Sequence, residues 1–125
     1  MTDERVWLPT EVVQRYLVGE RDFRGITIEG PEAETDLGFR GANLAEADFS
    51  HSWIDGIDFT GARLVGARFA SAHVKLCTFD GAHLQNADFS NAAVDAASFQ
   101  AAEVEGATFE GAGAYGYVFK VGEHP

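Results

Sequence analysis

The residues of this 125-residue chain that could support catalysis or bind a metal are few and widely separated. His51, His73 and His83 are candidate bases or metal ligands, and Cys77 is the one thiol. A single cysteine cannot form an internal disulfide, and it is typical of a reducing compartment. The chain has no glycine-rich phosphate loop, nucleophile elbow or paired-cysteine motif. What these residues can do therefore depends on which of them the fold brings together.

The element that positions them is a repeat of five residues. Starting at Phe39, every fifth residue through Phe119 is large and apolar, except Ala114. The residue two before each is alanine in twelve of seventeen cases, and glycine or another small residue often follows two after. A strand repeats every two residues and an α-helix every 3.6, so neither explains the pattern. A turn every five residues does, and four turns close a coil of twenty residues, with neighbouring coils paired at about 4.8 Å.

A period of twenty sorts the inward residues into four columns, each with its own residue type. Two opposing columns hold Phe, and a Leu column and an Ile/Val column lie between them. The first Phe column is Phe39, Phe59, Phe79, Phe99 and Phe119; the second is Phe49, Phe69, Phe89 and Phe109; the Leu column is Leu44, Leu64, Leu84 and Val104; the Ile/Val column is Ile54, Val74, Val94 and Ala114. Stacked like residues give the matched volumes that close packing needs. The sequence therefore predicts an all-β solenoid.

The repeat resembles the pentapeptide-repeat family, whose loose consensus is Ala, then Asp or Asn, then Leu or Phe, then two variable residues. Ala42-Asn43-Leu44, Ala47-Asp48-Phe49 and Ala87-Asp88-Phe89 match it literally. The resemblance covers about residues 37–121. It implies a right-handed quadrilateral β-helix, here of about four to five coils, with a distant similarity to the Qnr-type proteins that protect DNA gyrase.

We expect a single domain over residues 1–125 with a first coil that is only partial. Phe23 and Ile28 are five apart but out of phase with Phe39, and they fit the second Phe column and the Ile/Val column. Residues 29–36 then form an extruded acidic loop or, alternatively, an ordinary linker. The predicted segments are 1–20, 21–36 and 37–121.

Both ends of the solenoid need a cover, because bare strand edges invite aggregation. The stretch from Pro9 to Gly19 predicts a short amphipathic capping α-helix, with Val13, Tyr16 and Leu17 on one face. At the other end a ring occupies position 117, where alanine is usual, and suits a lid. These C-terminal residues either close the helix or form the dimer contact that the resemblance implies: Tyr115, Tyr117, Val118 and Val121.

The predicted columns separate the candidate catalytic residues. His73 and His83 are ten residues apart and lie on opposite faces, so they cannot share a metal, although His51 could approach His73 from a corner one coil away. No third ligand of suitable type stands beside that pair. Cys77 replaces an inward alanine and is interpreted as a small core residue rather than a nucleophile. The sequence therefore predicts no metal, no cofactor and no catalytic residue.

One outward patch differs from the alternating charges on the rest of the walls, because it contains a large aromatic residue. Trp53 occupies an outward position where the family favours Asp or Asn, which makes it a candidate contact residue. Alternatively, the loop or the N-terminal helix folds over Trp53 and buries it. The candidate binding patch, with the acidic loop above it, is His51, Trp53, Asp55, His73, Lys75, Glu32, Glu34 and Asp36.

Charge and composition limit the classes of binding partner that we expect. The net charge of −11 argues against direct binding to nucleic acid or to an anionic membrane, but it leaves open a basic protein partner. The first twenty residues contain four acidic residues and no long apolar run, so we expect neither a secretory signal nor a membrane span. The protein is therefore predicted to be cytoplasmic, and its Ala, Gly and Arg usage hints at a bacterial source.

Three functions are compatible with these features. The simplest is a non-catalytic binding module that acts through protein–protein contacts. A special case, implied by the family resemblance, is a short DNA mimic that protects DNA gyrase or topoisomerase and confers antibiotic or self-resistance. The alternative is a β-helix of a biosynthetic cluster that binds or converts a small molecule at Trp53, His51 and His73; no constellation indicates a reaction type, so an enzyme is the less favoured reading.

Overall fold

The computed structural model describes residues 6–29 and 38–125, and its main element is a ladder of parallel pairings between residues twenty apart. Arg63 pairs with His83 and Arg68 with Asp88, and the same offset recurs from Asn43 to Gly113. The named elements lie at the ends of this ladder. They are β1 (Val6–Trp7), α1 (Pro9–Leu17), β2 (Thr27–Ile28), β3 (Gly113–Ala114) and β4 (Tyr117–Val118). The chain is thus a β-helical solenoid with a helix near its start.

The core consists of the predicted columns. Rings of one Phe column stack face to face, as Phe59 on Phe79 at a centroid distance of 4.8 Å, and they meet the other Phe column edge-on, as Phe79 with Phe89 at 5.4 Å. Between these rings the inward alanines, such as Ala82, are fully buried. The interior is therefore closed by stacked rings with a small residue at each intervening position.

Backbone hydrogen bonds explain why the repeat has five residues. In the repeats of the inner coils the inward residue and the residue two after it donate to the next coil, as Phe59 N–H to the Thr78 carbonyl (2.7 Å) and Gly61 N–H to the Asp80 carbonyl (2.9 Å). The residue two after has a positive φ, 67° at Gly61 and 61° at Asn86. That conformation is cheap for Gly and tolerable for Asn, which explains their recurrence there.

Aspartates satisfy the amide that this scheme leaves over, that of the residue directly after the inward position. All seven aspartates within the described residues accept a backbone N–H, some from two residues on and others from the following coil. Asp58 Oδ1 accepts from Thr60 N–H at 2.8 Å, and Asp80 Oδ1 accepts from Gln100 N–H at 2.9 Å. The Asp or Asn of the repeat is therefore a structural residue, whose carboxylate or amide replaces a backbone partner.

The partial first coil is present with the predicted assignments. Asp22 pairs with Asp48 and Thr27 with Trp53, an offset of twenty-six that corresponds to six inserted residues. Phe23 stacks on Phe49 at 5.4 Å, as the second Phe column requires. Strand β1 pairs in parallel with β2, which itself pairs with the backbone at Trp53, so β1 adds one further layer on the Ile/Val side. The predicted acidic loop at 29–36 lies outside the described residues apart from Glu29.

Helix α1 packs on the N-terminal side of the columns, with a face that differs from the predicted one at one residue. Its buried residues are Pro9, Val12 and Tyr16, while Leu17 is 76% exposed and Val13 is half-buried. The predicted face of Val13, Tyr16 and Leu17 is right for Tyr16 and Val13, which pack on the core, and wrong for Leu17. The Tyr16 hydroxyl donates to the Ala45 carbonyl (2.8 Å), and Val12 takes the buried position in place of Leu17. No helix within the described residues is long and apolar enough to cross a membrane.

The C-terminal end differs from the predicted repeat. After Ala114 the chain reverses through Tyr115 and Gly116, both with positive φ (51° and 82°), so that β4 pairs antiparallel with β3. Two consecutive positive-φ residues are the signature of a tight hairpin turn. Phe119 N–H donates to the Ala112 carbonyl instead of continuing the ladder. The prediction that Phe119 extends the first Phe column is therefore wrong.

Candidate functional site

The predicted patch centres on two stacked aromatic rings. Trp53 and His73 occupy successive outward positions on the Ile/Val side, where their backbones pair in parallel. The indole and imidazole centroids lie 3.9 Å apart with an angle of 17° between the ring planes. Trp53 nevertheless keeps 50% of its surface exposed. The wall thus presents a rigid aromatic platform, and the helix does not bury it.

The other described residues of the predicted patch lie beside the platform, on the same wall or at its corner. Asp55 and Lys75 follow the two inward residues of this side, and the Lys75 N–H donates to Asp55 Oδ1 at 2.9 Å. His51 is exposed at a corner with a φ of 62°. The ring that contacts His73 is that of Trp53 rather than that of His51. The predicted loop members Glu32, Glu34 and Asp36 lie outside the described residues.

The imidazole of His73 has one polar atom in an unusual state. Its Nδ1 is shielded from solvent and has no hydrogen-bond partner within the described residues, although His73 is only half-buried. An unpaired shielded polar atom costs free energy. The contact between the two rings is stacking, so the platform is held by packing.

A second polar cluster, on the Leu side, was not singled out from the sequence. His83 Nδ1 lies 2.9 Å from Glu103 Oε2, which also accepts a short hydrogen bond from Gln85 Nε2. These contacts, with His83 first, lower the pKa of the Glu103 carboxyl. The spacing of twenty between His83 and Glu103 was the available signal. Within the described residues no group of three or more His, Cys, Asp or Glu could hold a metal ion.

A cleft of about 550 Å³ lies beside the partial first coil and was also not predicted. Three arginines reach it, but two already have partners: Arg24 forms two bonds to Asp22, at 2.8 and 2.9 Å, and Arg21 lies over the Tyr16 ring. The bonds to Arg24 hold the pKa of Asp22 at about 2. The lining is Arg21, Asp22, Arg24, Glu46, Asp48, Gly66 and Arg68. The lining has as many positive as negative side chains, so the cleft does not favour either an anionic or a cationic ligand.

Cys77 is unsuited to nucleophilic chemistry. It is buried, and its Sγ contacts the Ile54 carbonyl oxygen at 2.8 Å. Burial raises the pKa of its thiol to about 12, so the reactive thiolate is absent at neutral pH. This agrees with its interpretation as a core residue.

The predicted C-terminal contact residues all lie on the hairpin or just after it and are exposed. Tyr117 packs edge-on against Phe119 at 5.3 Å, and its hydroxyl donates to Glu123 at 2.8 Å. The exposed set is Tyr115, Tyr117, Val118 and Val121. Because these side chains face solvent, they leave apolar surface at the end of the solenoid rather than a sealed lid.

Comparison with known proteins places this architecture in context. A family model described as the pentapeptide repeat region matches residues 35–109. No curated protein matches the sequence. Among solved structures, the pentapeptide-repeat protein alr5209 from Nostoc PCC 7120 is 23% identical, with a TM-score of 0.50 over 92% of this chain and 87% of that one. This likeness concerns the fold alone.

Two other solved structures are more remote. HetL from Nostoc sp. strain PCC 7120, a pentapeptide-repeat protein involved in heterocyst differentiation regulation, is 19% identical (TM-score 0.48), and 78% of this chain spans only 43% of its length. QnrB1, a plasmid-mediated fluoroquinolone resistance protein, is 24% identical (TM-score 0.30) over 75% of this chain and 50% of that one.

Proposed function

The chain belongs to the pentapeptide-repeat family, and from that premise we propose that it is a non-catalytic binding module acting through protein–protein contacts. The observation that carries the proposal is the Trp53–His73 platform, an indole stacked at 3.9 Å yet half exposed on a regular wall. A large aromatic ring that is rigid before binding loses little side-chain entropy when a partner covers it, which is the property of a contact hot spot.

The architecture that we propose for the module is a single domain, residues 1–125, forming a right-handed β-helix of four to five coils with α1 as its N-terminal cap. A rod of this kind offers flat, rigid outer walls, and neither Trp53 nor His73 lines the cleft beside the first coil. Flat surfaces suit protein partners, whereas small-molecule sites are usually concave. A cytoplasmic location follows from the same reading of the sequence and stays a prediction.

Alanine substitution at Trp53 tests this proposal. Trp53→Ala should weaken capture of a partner from an extract of the source organism by about tenfold or more, since a hot-spot aromatic contributes roughly 2 kcal/mol or more. Its melting temperature should stay close to that of the parent. Arg63→Ala is the matched control, because Arg63 is also outward and exposed but lies on the opposite, Leu side. Equal loss in both variants, or unfolding of Trp53→Ala alone, would count against the platform.

The gyrase-protecting DNA mimic is the narrower form of the proposal. Residues 37–121 carry ten acidic and five basic side chains, whereas duplex DNA over the same ~20 Å would carry about twelve charges. The aspartates moreover have a structural reason to be present, since each described one accepts a backbone N–H. Inhibition or protection of purified gyrase in a supercoiling assay, weakening with added salt, would support mimicry; no effect would exclude gyrase as partner.

The alternative is a small-molecule site at Trp53, His51 and His73. The observation that favours it is the shielded Nδ1 of His73, which has no partner among the described residues and could pair with a ligand hydroxyl or amide. Homodimerisation through Tyr115, Tyr117, Val118 and Val121 stays a prediction, which sedimentation velocity measures directly.

A further inference from the structure

The solenoid ends on an open backbone edge that lies away from the Trp53 platform. In the inner coils Phe79 N–H donates to the Ser98 carbonyl at 2.7 Å and Leu84 N–H to the Glu103 carbonyl at 2.8 Å. The equivalent amides one coil later, those of Phe99 and Val104, have no backbone acceptor within the described residues. The chain turns back at Tyr115 and therefore covers only the side of Gly113–Ala114 and its approach.

Carbonyl groups are left over along the same edge. The Cys77 and Ala82 carbonyls each accept a hydrogen bond from the following coil, at 3.0 Å from Ser98 N–H and from Glu103 N–H. One coil later, no donor within the described part of the chain reaches the carbonyls of Ala97 and Ala102. Donors and acceptors thus alternate along the two sides centred on Phe99 and Val104, which we call the open edge.

Apolar surface accompanies these unpaired groups. Phe79 and Leu84 are fully buried, whereas Phe99 and Val104, their successors in the same columns, are only half-buried. A cleft of about 340 Å³ runs along Ala97–Gln100 and is bordered by Pro125. An edge with unpaired amides and uncovered apolar side chains is the usual template for strand addition.

Charge on the open edge decides which strand fits. Glu103 and Glu105 flank Val104, and Glu110 follows Phe109 on the adjoining side, whereas the positions one coil earlier carry no carboxylate: His83, Gln85 and Ser90. Residues 76–119 contain six acidic side chains and no Lys or Arg, while residues 38–75 contain four of each sign. A second copy of this chain would bring the same three glutamates against these, so like charges oppose it.

We propose that the open edge binds a short, extended, basic segment of another protein, which adds a strand to the sides centred on Phe99 and Val104. Its backbone pairs with the free amides and carbonyls, its apolar side chains cover Phe99 and Val104, and its Lys or Arg side chains meet Glu103, Glu105 and Glu110. The glutamates serve both purposes, since they repel a second copy and attract a cationic strand.

The test uses the full chain, labelled with ¹⁵N, and two probe peptides of six residues. One peptide alternates Lys with Val and the other alternates Glu with Val. The basic peptide should shift the Phe99 and Val104 amide resonances and should bind about tenfold more weakly when salt is raised from about 50 to 300 mM. The acidic peptide should not bind. The Phe99 and Val104 amide resonances of the chain alone should not shift with protein concentration, since no second copy should cover the open edge.

A charge-neutral variant completes the test. The triple variant Glu103→Gln, Glu105→Gln and Glu110→Gln should bind the basic peptide about tenfold more weakly, because three exposed ion pairs contribute about that factor together. Glu46→Gln is the matched control, an exposed glutamate of an early coil, and should bind like the parent. The proposal would be overturned if both peptides bound equally well, or if the basic peptide shifted only other residues. It would also be overturned if the parent chain formed a dimer over the Phe99 and Val104 amides. The same holds if the triple variant formed a dimer while the parent did not bind the basic peptide. None of these outcomes depends on Trp53.

Discussion

The inner coils and the terminal coil have the same five-residue sequence pattern, yet their side chains differ in burial and in stacking. Phe79 lies between Phe59 and Phe99, with centroid distances of 4.8 and 5.0 Å, and is fully buried. Phe99 has the ring of Phe79 on one side and no stacked ring from a described residue on the other, and it is half-buried. The difference teaches that a repeat position acquires its packing from its neighbours twenty residues away on both sides, so that only the ends and the irregular positions remain available for contacts.

The largest expected effect breaks a stack in the inner coils. Phe79→Ala should lower the free energy of unfolding by about 3–5 kcal/mol, because it removes a ring held between two others and leaves a cavity. Phe99→Ala is the matched variant in the same column and should cost distinctly less, since its site can relax and take up water. Urea unfolding of both variants measures the difference. Equal losses would show that the terminal coil is as closed as the inner ones.

A larger side chain at an inward alanine should affect stability differently in the inner coils and in the terminal coil. Ala82 is fully buried among the stacked rings, whereas Ala102, twenty residues later, is half-buried. Ala82→Leu should destabilise by about 1–3 kcal/mol through overpacking, and Ala102→Leu should be nearly neutral. Thermal unfolding measured by circular dichroism is the readout. Similar destabilisation by the two substitutions would contradict an open end at this side.

Much of the fold was predictable from the sequence, and what the sequence did not predict has physical reasons. The spacing of twenty predicted the columns and the proximity of Trp53 to His73, and the order of Phe23 and Ile28, five residues apart, predicted their columns. It did not predict the Trp53–His73 ring stacking, because spacing fixes which backbones pair but not the side-chain rotamers. Phe119 stays in phase with the repeat and was misassigned, since the reversal at Tyr115 and Gly116 leaves the five-residue period intact.

A smaller effect should separate aspartates that belong to the fold from glutamates that do not. Asp58 accepts the Thr60 N–H at 2.8 Å, whereas no hydrogen bond of the Glu105 carboxylate is found within the described residues. Asp58→Ala should therefore destabilise by about 1 kcal/mol, while Asp58→Asn retains an acceptor and should cost less. Glu105→Ala should leave the stability unchanged. Chemical denaturation of the three variants would reject the assignment if Glu105→Ala proved the most costly.

The smallest expected effect concerns pH at the opposite end of the solenoid. Two bonds from Arg24 lower the pKa of Asp22 to about 2 in the folded protein, against 3.8 for an unperturbed aspartate. Because the folded-state pKa is the lower one, the stabilisation is complete above about pH 4 and is lost as the pH falls toward 2. The pair is largely exposed, so solvent screens it and the change in stability should be small. Asp22→Asn should remove this part of the acid dependence when urea midpoints are measured between about pH 5 and 2. Glu105→Gln, at the other end and without such a partner, should leave the curve unchanged, and a curve that is equally flat for the parent and Asp22→Asn would show that the ion pair contributes nothing to folding.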